Sequence, residues 1–202
     1  MSKQEAQRYR TAIHEAGHAV VAFAHGVRVK LVTIRPDDEN GRLGFCELDG
    51  PDWADFVRTL HDQGPDPFTH PAEAAAWAVR YVCLRERAIN LLESQLQILH
   101  GGQIAEILYA KTKPTKKYAK AHWSPDNNKI VDIALRFRGP GCSEWVAEMD
   151  KQTTKLLSRP KYRKALFCLA NALLQKEELT GRQAKMIYNA AIKPKRAKVK
   201  AT

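Results

Sequence analysis

The chain has 202 residues, enough to bury a hydrophobic core without disulfide staples, and its 44% hydrophobic and 27% charged content is that of an ordinary globular protein. Four cysteines at positions 46, 83, 142 and 168 include no CxxC pair, which argues against a cysteine zinc site and for a reducing compartment with buried, inert thiols. The net charge of +11 permits an acidic partner or nucleic acid but does not select one.

The first ten residues are polar and lack the apolar segment of a signal peptide, and the early apolar run 19–24 is too short to cross a bilayer. The expected location is the cytoplasm, with no membrane association. Residues 4–24 carry Tyr9, Ile13, Ala16, Val20 and Phe23 at three- and four-residue steps, which predicts an amphipathic helix. Gly26 follows as a C-terminal cap, and His25 places a cation at the helix C-terminus.

Residues 30–35 and 43–48 read as two strands, joined by a turn at 37–41 that contains Asn40-Gly41. They form a hairpin. Residues 50–71 are rich in Pro, Asp and Gly and read as a loop or insertion with a short helix near 53–60. A long helical stretch spans 72–110. Gly101-Gly102 lowers helix propensity inside it and suggests two helices in series. A basic loop at 111–120 follows. Ser124 or Asp126 can cap a further helix that runs to about residue 137. Gly139-Pro140-Gly141 is a break. Helices at 143–157, 161–176 and 180–191 complete the chain, the last capped by Thr180. The last ten residues hold Lys193, Lys195, Arg196, Lys198 and Lys200; they read as a disordered basic tail, or as a weak attraction to nucleic acid that no recognisable motif supports.

The chemistry lies in His14-Glu15-Ala16-Gly17-His18. On a helix, residues four apart stand on one face, so both imidazoles can reach one metal ion. Glu15 lies about 100° round the helix from His14. It is close to the metal without pointing at it, as a base for the attacking water must be. This is the HExxH pattern of zinc peptidases, here inside an amphipathic helix. A catalytic zinc takes three protein ligands and keeps one position open. Seven histidines and 22 acidic residues leave the third ligand unassigned on composition alone.

Five segments carry a resemblance. TAIHEAGHAVVAFAHGVRVKLVTIRP (11–36) is similar to the start of the peptidase domain of the FtsH family of ATP-dependent zinc proteases. GRLGF (41–45) resembles that family's Leu-Gly strand beside the active site. LESQLQILHGGQIAEIL (92–108) resembles its Gly-Gly-Arg-x-Ala-Glu-Glu helix. SPDNNKIVDIA (124–134) resembles the segment whose Asp completes the zinc site, and ALFCLANALLQKEELTGRQAKMI (165–187) resembles the C-terminal helices. The resemblance implies a mainly α fold: a helical metallopeptidase domain over 1–192, with an insertion at about 49–87, a small β-hairpin near the active-site helix, and the tail at 193–202. It implies a zinc metalloendopeptidase that cleaves unfolded or flexible polypeptides. His14, His18 and Asp126 would hold Zn2+, with Glu15 as base and Glu106 as the rival third ligand. For Asp126 the competing role is a helix N-cap, and for Glu106 a hydrogen-bonding acid behind the ligands.

Gln103 and Ile107 depart from the family signature, and no GxxxxGK[ST] motif or membrane anchor is present in the sequence. A separate ATPase is therefore an expected partner for stable substrates, and a homo-oligomer is open. His122 is close to Asp126 and reads as a loop residue or an aid to the site. His100 reads as a packed helix residue, and His61 and His70 as structural or exposed. The four tryptophans read as core or interface residues. The competing functions are a non-catalytic zinc-binding module and a basic nucleic-acid- or protein-binding regulator.

Overall fold

The computed structural model describes residues 2–37, 39, 41–49, 71–110 and 125–193, with side chains of 71–88, 125, 136, 137 and 139 outside the description. Among the described residues the fold is mainly α: six helices and a three-stranded antiparallel sheet. Helix α1 (Lys3–Ala24) leads into strands β1 (Arg28–Thr33) and β2 (Phe45–Asp49). Helices α2 (Pro71–Tyr109), α3 (Pro125–Arg138), α4 (Ser143–Leu157) and α5 (Pro160–Lys176) follow, then strand β3 (Glu178–Thr180) and helix α6 (Gly181–Ile192). The expected short helix near 53–60, the basic loop, the tail, Trp53, Trp123, His61, His70 and His122 lie outside the described residues. No helix among the described residues is long and apolar enough to cross a membrane.

Helix α1 starts on a capping box in which the Ser2 hydroxyl accepts from the Glu5 amide and the Glu5 carboxylate accepts from the Ser2 amide. It ends at His25, and Gly26 takes the left-handed φ of 75° that turns the chain towards β1. From Thr11 onwards α1 is buried on almost every face, with Ile13, Ala16, Ala19, Val20 and Val21 inaccessible to solvent. It is thus the central helix, wrapped by α2, α5, α6 and the sheet. Each fully buried aliphatic side chain there is worth roughly 1.5–3 kcal/mol.

The hairpin forms as expected, with Thr33 opposite Phe45 and Arg28 opposite Asp49, and a register irregularity between Val29 and Leu31. The strands begin two residues away from the sequence-based bounds, and an isolated bridge pairs Asp37 with Arg42. Strand β3 is a finding that periodicity does not reveal. It is three residues long and owes its existence to tertiary pairing: Leu31 lies opposite Thr180 and Thr33 opposite Glu178. The sheet order is β2-β1-β3. Glu177, in the left-handed region at φ 63°, ends α5, and its carbonyl accepts from the Ile34 amide and the Thr33 hydroxyl. Thr180 caps α6 as expected, in a capping box with Gln183.

The Gly101-Gly102 pair does not divide α2, which runs unbroken from Pro71 to Tyr109. Glycine costs about 1 kcal/mol per residue in a helix, and here it allows two backbones to touch. A Cβ on Gly17 would lie 2.3 Å from the Gly101 carbonyl oxygen, and one on Gly101 would lie 2.9 Å from that of Gly17. Helices α1 and α2 therefore cross glycine on glycine. A second apolar cluster joins Leu92 and Leu96 of α2 to Ile130 and Ile133 of α3 and Met149 of α4. Trp145 of α4 is partly buried at its edge, and its indole N–H donates to Glu93 at 3.0 Å. Cys46, Cys142 and Cys168 are free thiols, half-buried rather than fully buried as expected.

Candidate metal centre

The candidate metal-binding face is built from α1, α2 and α3. His14 and His18 stand one turn apart on α1, and their Nε2 atoms lie 2.9 Å from each other. Asp126 arrives from α3. That helix starts at Pro125, so Asp126 lies inside its first turn and not at the capping position. Asp126, Ile130 and Ile133 share one helical face by their spacing. Packing the two isoleucines on Leu92 and Leu96 of α2 turns the carboxylate towards the imidazoles. Asp126 Oδ2 then lies 3.2 Å from His14 Nε2 and 3.3 Å from His18 Nε2. These residues form the one group among the described residues that could hold a metal ion.

The outer nitrogens are anchored. His18 Nδ1 donates to the Ile98 carbonyl at 2.7 Å, and His14 Nδ1 donates to Glu106 Oε1 at 2.6 Å. A carbonyl can only accept, so the His18 proton sits on Nδ1 and the Nε2 lone pair faces inwards. The Glu106 carboxylate does the same for His14. His14 Nε2, His18 Nε2 and Asp126 Oδ2 thus converge on one point, where either a shared proton or a metal cation would bind them together. Tetrahedral zinc, with bonds of ~2.0–2.1 Å, separates its ligand atoms by ~3.3 Å, close to the three separations found. Glu106 is held behind His14 and also accepts from Arg10 Nε. Of the two acids, Glu106 lies behind His14 and Asp126 lies against both Nε2 atoms.

The electrostatics agree. Burial opposes a charge on His14, but the hydrogen bonds to Asp126 and Glu106 and the charge of Glu15 outweigh it and raise the ring to about 10. Burial would raise Asp126, yet its hydrogen bonds to His14 and His18 and their charges hold it far below the usual carboxylate range. Glu106 is lowered too, its burial outweighed by His14 and Arg10. A field that favours a proton at this point also favours a metal cation.

Glu15 is buried, 5% exposed. Burial pushes its carboxyl up, against the pull of His14 and His18. Gly44 of the Leu-Gly segment lies over it, where a Cβ would come within 3.2 Å of Glu15 Cγ and 2.7 Å of the Thr33 carbonyl oxygen. The thiol of Cys46 on β2 is pushed well up, by burial first and then by the charges of Glu15 and Asp126.

Three participants escape a reading of motifs. Gly102 faces the two imidazoles: a Cβ there would lie 2.4 Å from His18 Nε2 and 2.5 Å from His14 Nε2. Arg10 clamps Glu106, and the backbone of Ile98 sets the His18 tautomer. Only Gly102 leaves a trace in the sequence, as one of two glycines inside an otherwise strong helix.

The other described histidines stay outside the centre. His25 Nε2 lies 3.0 Å from Gln97 Oε1, which joins the end of α1 to α2. His100 is packed in α2 as expected, 7% exposed, with Nδ1 3.7 Å from Asp150. Burial lowers its pKa, against the smaller pull of Asp150. A histidine that resists protonation when folded stabilises fully above its unfolded pKa of about 6.5, and that stability is lost as pH falls below it. The thermal midpoint of wild type should therefore drop between pH 7 and pH 5.5 by more than that of His100→Leu. Equal drops would show that His100 carries none of the acid sensitivity.

A comparison with protein-family models and with curated proteins finds no match. What fold and site define is a helical protein in which two histidines of the central helix meet a carboxylate from α3, with a buried glutamate beside them.

Proposed function

We propose that the protein is a zinc-dependent metallopeptidase, related to the peptidase part of the FtsH family, that hydrolyses peptide bonds in unfolded or flexible polypeptides. The observation that carries this reading is the convergence of His14 Nε2, His18 Nε2 and Asp126 Oδ2 within 3.3 Å, with both outer imidazole nitrogens anchored and Glu15 adjacent in the chain. Three protein ligands of this kind suit zinc at a site that keeps a position open for chemistry.

When bound, Zn2+ lowers the pKa of a coordinated water to about 7 and polarises the scissile carbonyl. Glu15 takes the proton of the attacking water and delivers it to the leaving amine. Its partial desolvation keeps its basicity above that of an ordinary carboxylate. Glu106 and the Ile98 carbonyl hold the two imidazoles in the tautomer that binds metal. The substrate lies extended along β2, which pairs only with β1 among the described residues. Backbone pairing of that kind reads little sequence, so cleavage is loosely specific. Flexible chains can lie along β2 without prior unfolding, whereas stably folded ones cannot.

The direct test is metal analysis of the purified protein, then casein or peptide cleavage with and without a chelator. We expect about one zinc per chain, cleavage abolished by the chelator, and recovery on adding Zn2+ back. Asp126→Ala should lose the metal, whereas Glu106→Ala should weaken it by about 10- to 100-fold. A wild type that holds zinc and cleaves nothing would be a non-catalytic metal protein. Loss of zinc in Glu106→Ala alone would exchange the roles of the two acids.

A further inference from the structure

Arg10 stands on α1 one turn before His14, so Arg10, His14 and His18 follow one another at four-residue steps along one face. Glu106 reaches across from α2 and engages the first two of them at once. Its Oε1 accepts from His14 Nδ1 at 2.6 Å, and its Oε2 accepts from Arg10 Nε. The Arg10 and Glu106 side chains are each 17% exposed, so this ion pair is only weakly screened by water.

The geometry poses a question that the motif does not. Glu106 is a carboxylate directly behind a metal-binding imidazole, with a second carboxylate, Asp126, in front of it. A carboxylate held by one oxygen can rotate about its bonds, and a divalent cation nearby would draw it in. Holding the second oxygen removes that freedom. It also balances the charge of Glu106 with a cation that cannot be deprotonated.

We propose that Arg10 is a positioning residue of the metal centre: it clamps Glu106 so that this carboxylate orients His14 from behind and stays off the metal ion. The proposal rests on the metal-centre reading above. Arg10 contacts neither metal nor substrate and acts through Glu106. Losing it releases Glu106 and, with it, the fixed orientation of His14.

The test uses Co2+ added to the metal-free full chain, in competition with a chelator, with affinity and the visible d–d band as readouts. Wild type, Arg10→Gln, Arg10→Lys, Glu106→Gln and the double variant Arg10→Gln/Glu106→Gln are compared, and far-UV circular dichroism checks folding. We expect Arg10→Gln to bind about 10- to 100-fold more weakly, as for loss of other groups that orient a ligand, and to shift the d–d band. Arg10→Lys keeps a cationic donor and should restore the wild-type band. Because Arg10 acts through Glu106, the double variant should match Glu106→Gln to within about threefold. Wild-type affinity and band in Arg10→Gln would overturn the proposal. So would a double variant weaker than Glu106→Gln by the full Arg10→Gln factor. A wild type that takes up no Co2+ overturns the metal-centre reading itself, and this proposal with it.

Discussion

Glu15→Gln should bind zinc as wild type does and lose peptide cleavage by about 10²- to 10⁴-fold or more, the range a positioned general base contributes. The substitution keeps the size and the hydrogen-bonding reach of the side chain and removes only its ability to take a proton. Metal binding should survive because the converging atoms belong to His14, His18 and Asp126, and Glu15 is not among them. The fold should survive because the change removes a carboxyl that burial disfavours in its charged form. Metal stoichiometry, thermal midpoint and initial cleavage rate on one preparation decide the matter. A variant that cleaves as fast as wild type removes Glu15 from the mechanism.

Gly102→Ala should weaken metal binding by more than about 100-fold, beyond the 10- to 100-fold typical of losing a group behind a ligand. The added methyl would sit 2.4 Å from His18 Nε2 and 2.5 Å from His14 Nε2, and also 2.7 Å from His14 Cδ2. It would stand against both Nε2 atoms, so the rings could not face a common ion without moving. Gly101→Ala is the control. Its methyl would press on the Gly17 carbonyl oxygen at 2.9 Å and Val21 Cγ2 at 3.0 Å. Overpacking of that kind costs about 1–3 kcal/mol of stability, but it lies at the helix crossing and away from the metal-facing nitrogens. Adjacent glycines should therefore separate two properties: alanine at 102 weakens metal binding, and alanine at 101 lowers the thermal midpoint. Full metal uptake by Gly102→Ala would show that the rings can turn aside at little cost.

Both expectations depend on facts of different origin. The pairing of His14 with His18 follows from the 3.6-residue helical period, and the helix from its apolar spacing. Ser143–Leu157 and the Thr180 cap were legible for the same reason, since a capping side chain and a periodic face act within a few residues. The hairpin was legible from alternation and Asn40-Gly41, though its ends were not, because pairing energy and not local preference sets where a strand stops. The three residues of β3 have no period to detect and become a strand only against β1.

Gly101-Gly102 shows why local preference fails in a packed interior. Read alone, two glycines weaken a helix. Read against α1, they are what lets two helix backbones meet and leaves room before the histidines, and the packing outweighs the lost propensity. Asp126 is a similar case. Pattern made it a candidate for a cap or for a ligand, and the resemblance favoured the ligand. The contact of Ile130 and Ile133 with α2 is what aims the carboxylate.

The sequence by itself determined two imidazoles on one helical face with a glutamate beside them, because neighbours along a helix are fixed by its pitch. Only the tertiary structure decided which acid faces them: Asp126, 112 residues beyond His14, and not Glu106, which Arg10 and His14 hold on the far side of the ring. The physical reason is range. Helix geometry acts over a turn or two, whereas the meeting of α1, α2 and α3 is set by the burial of side chains far apart in the chain.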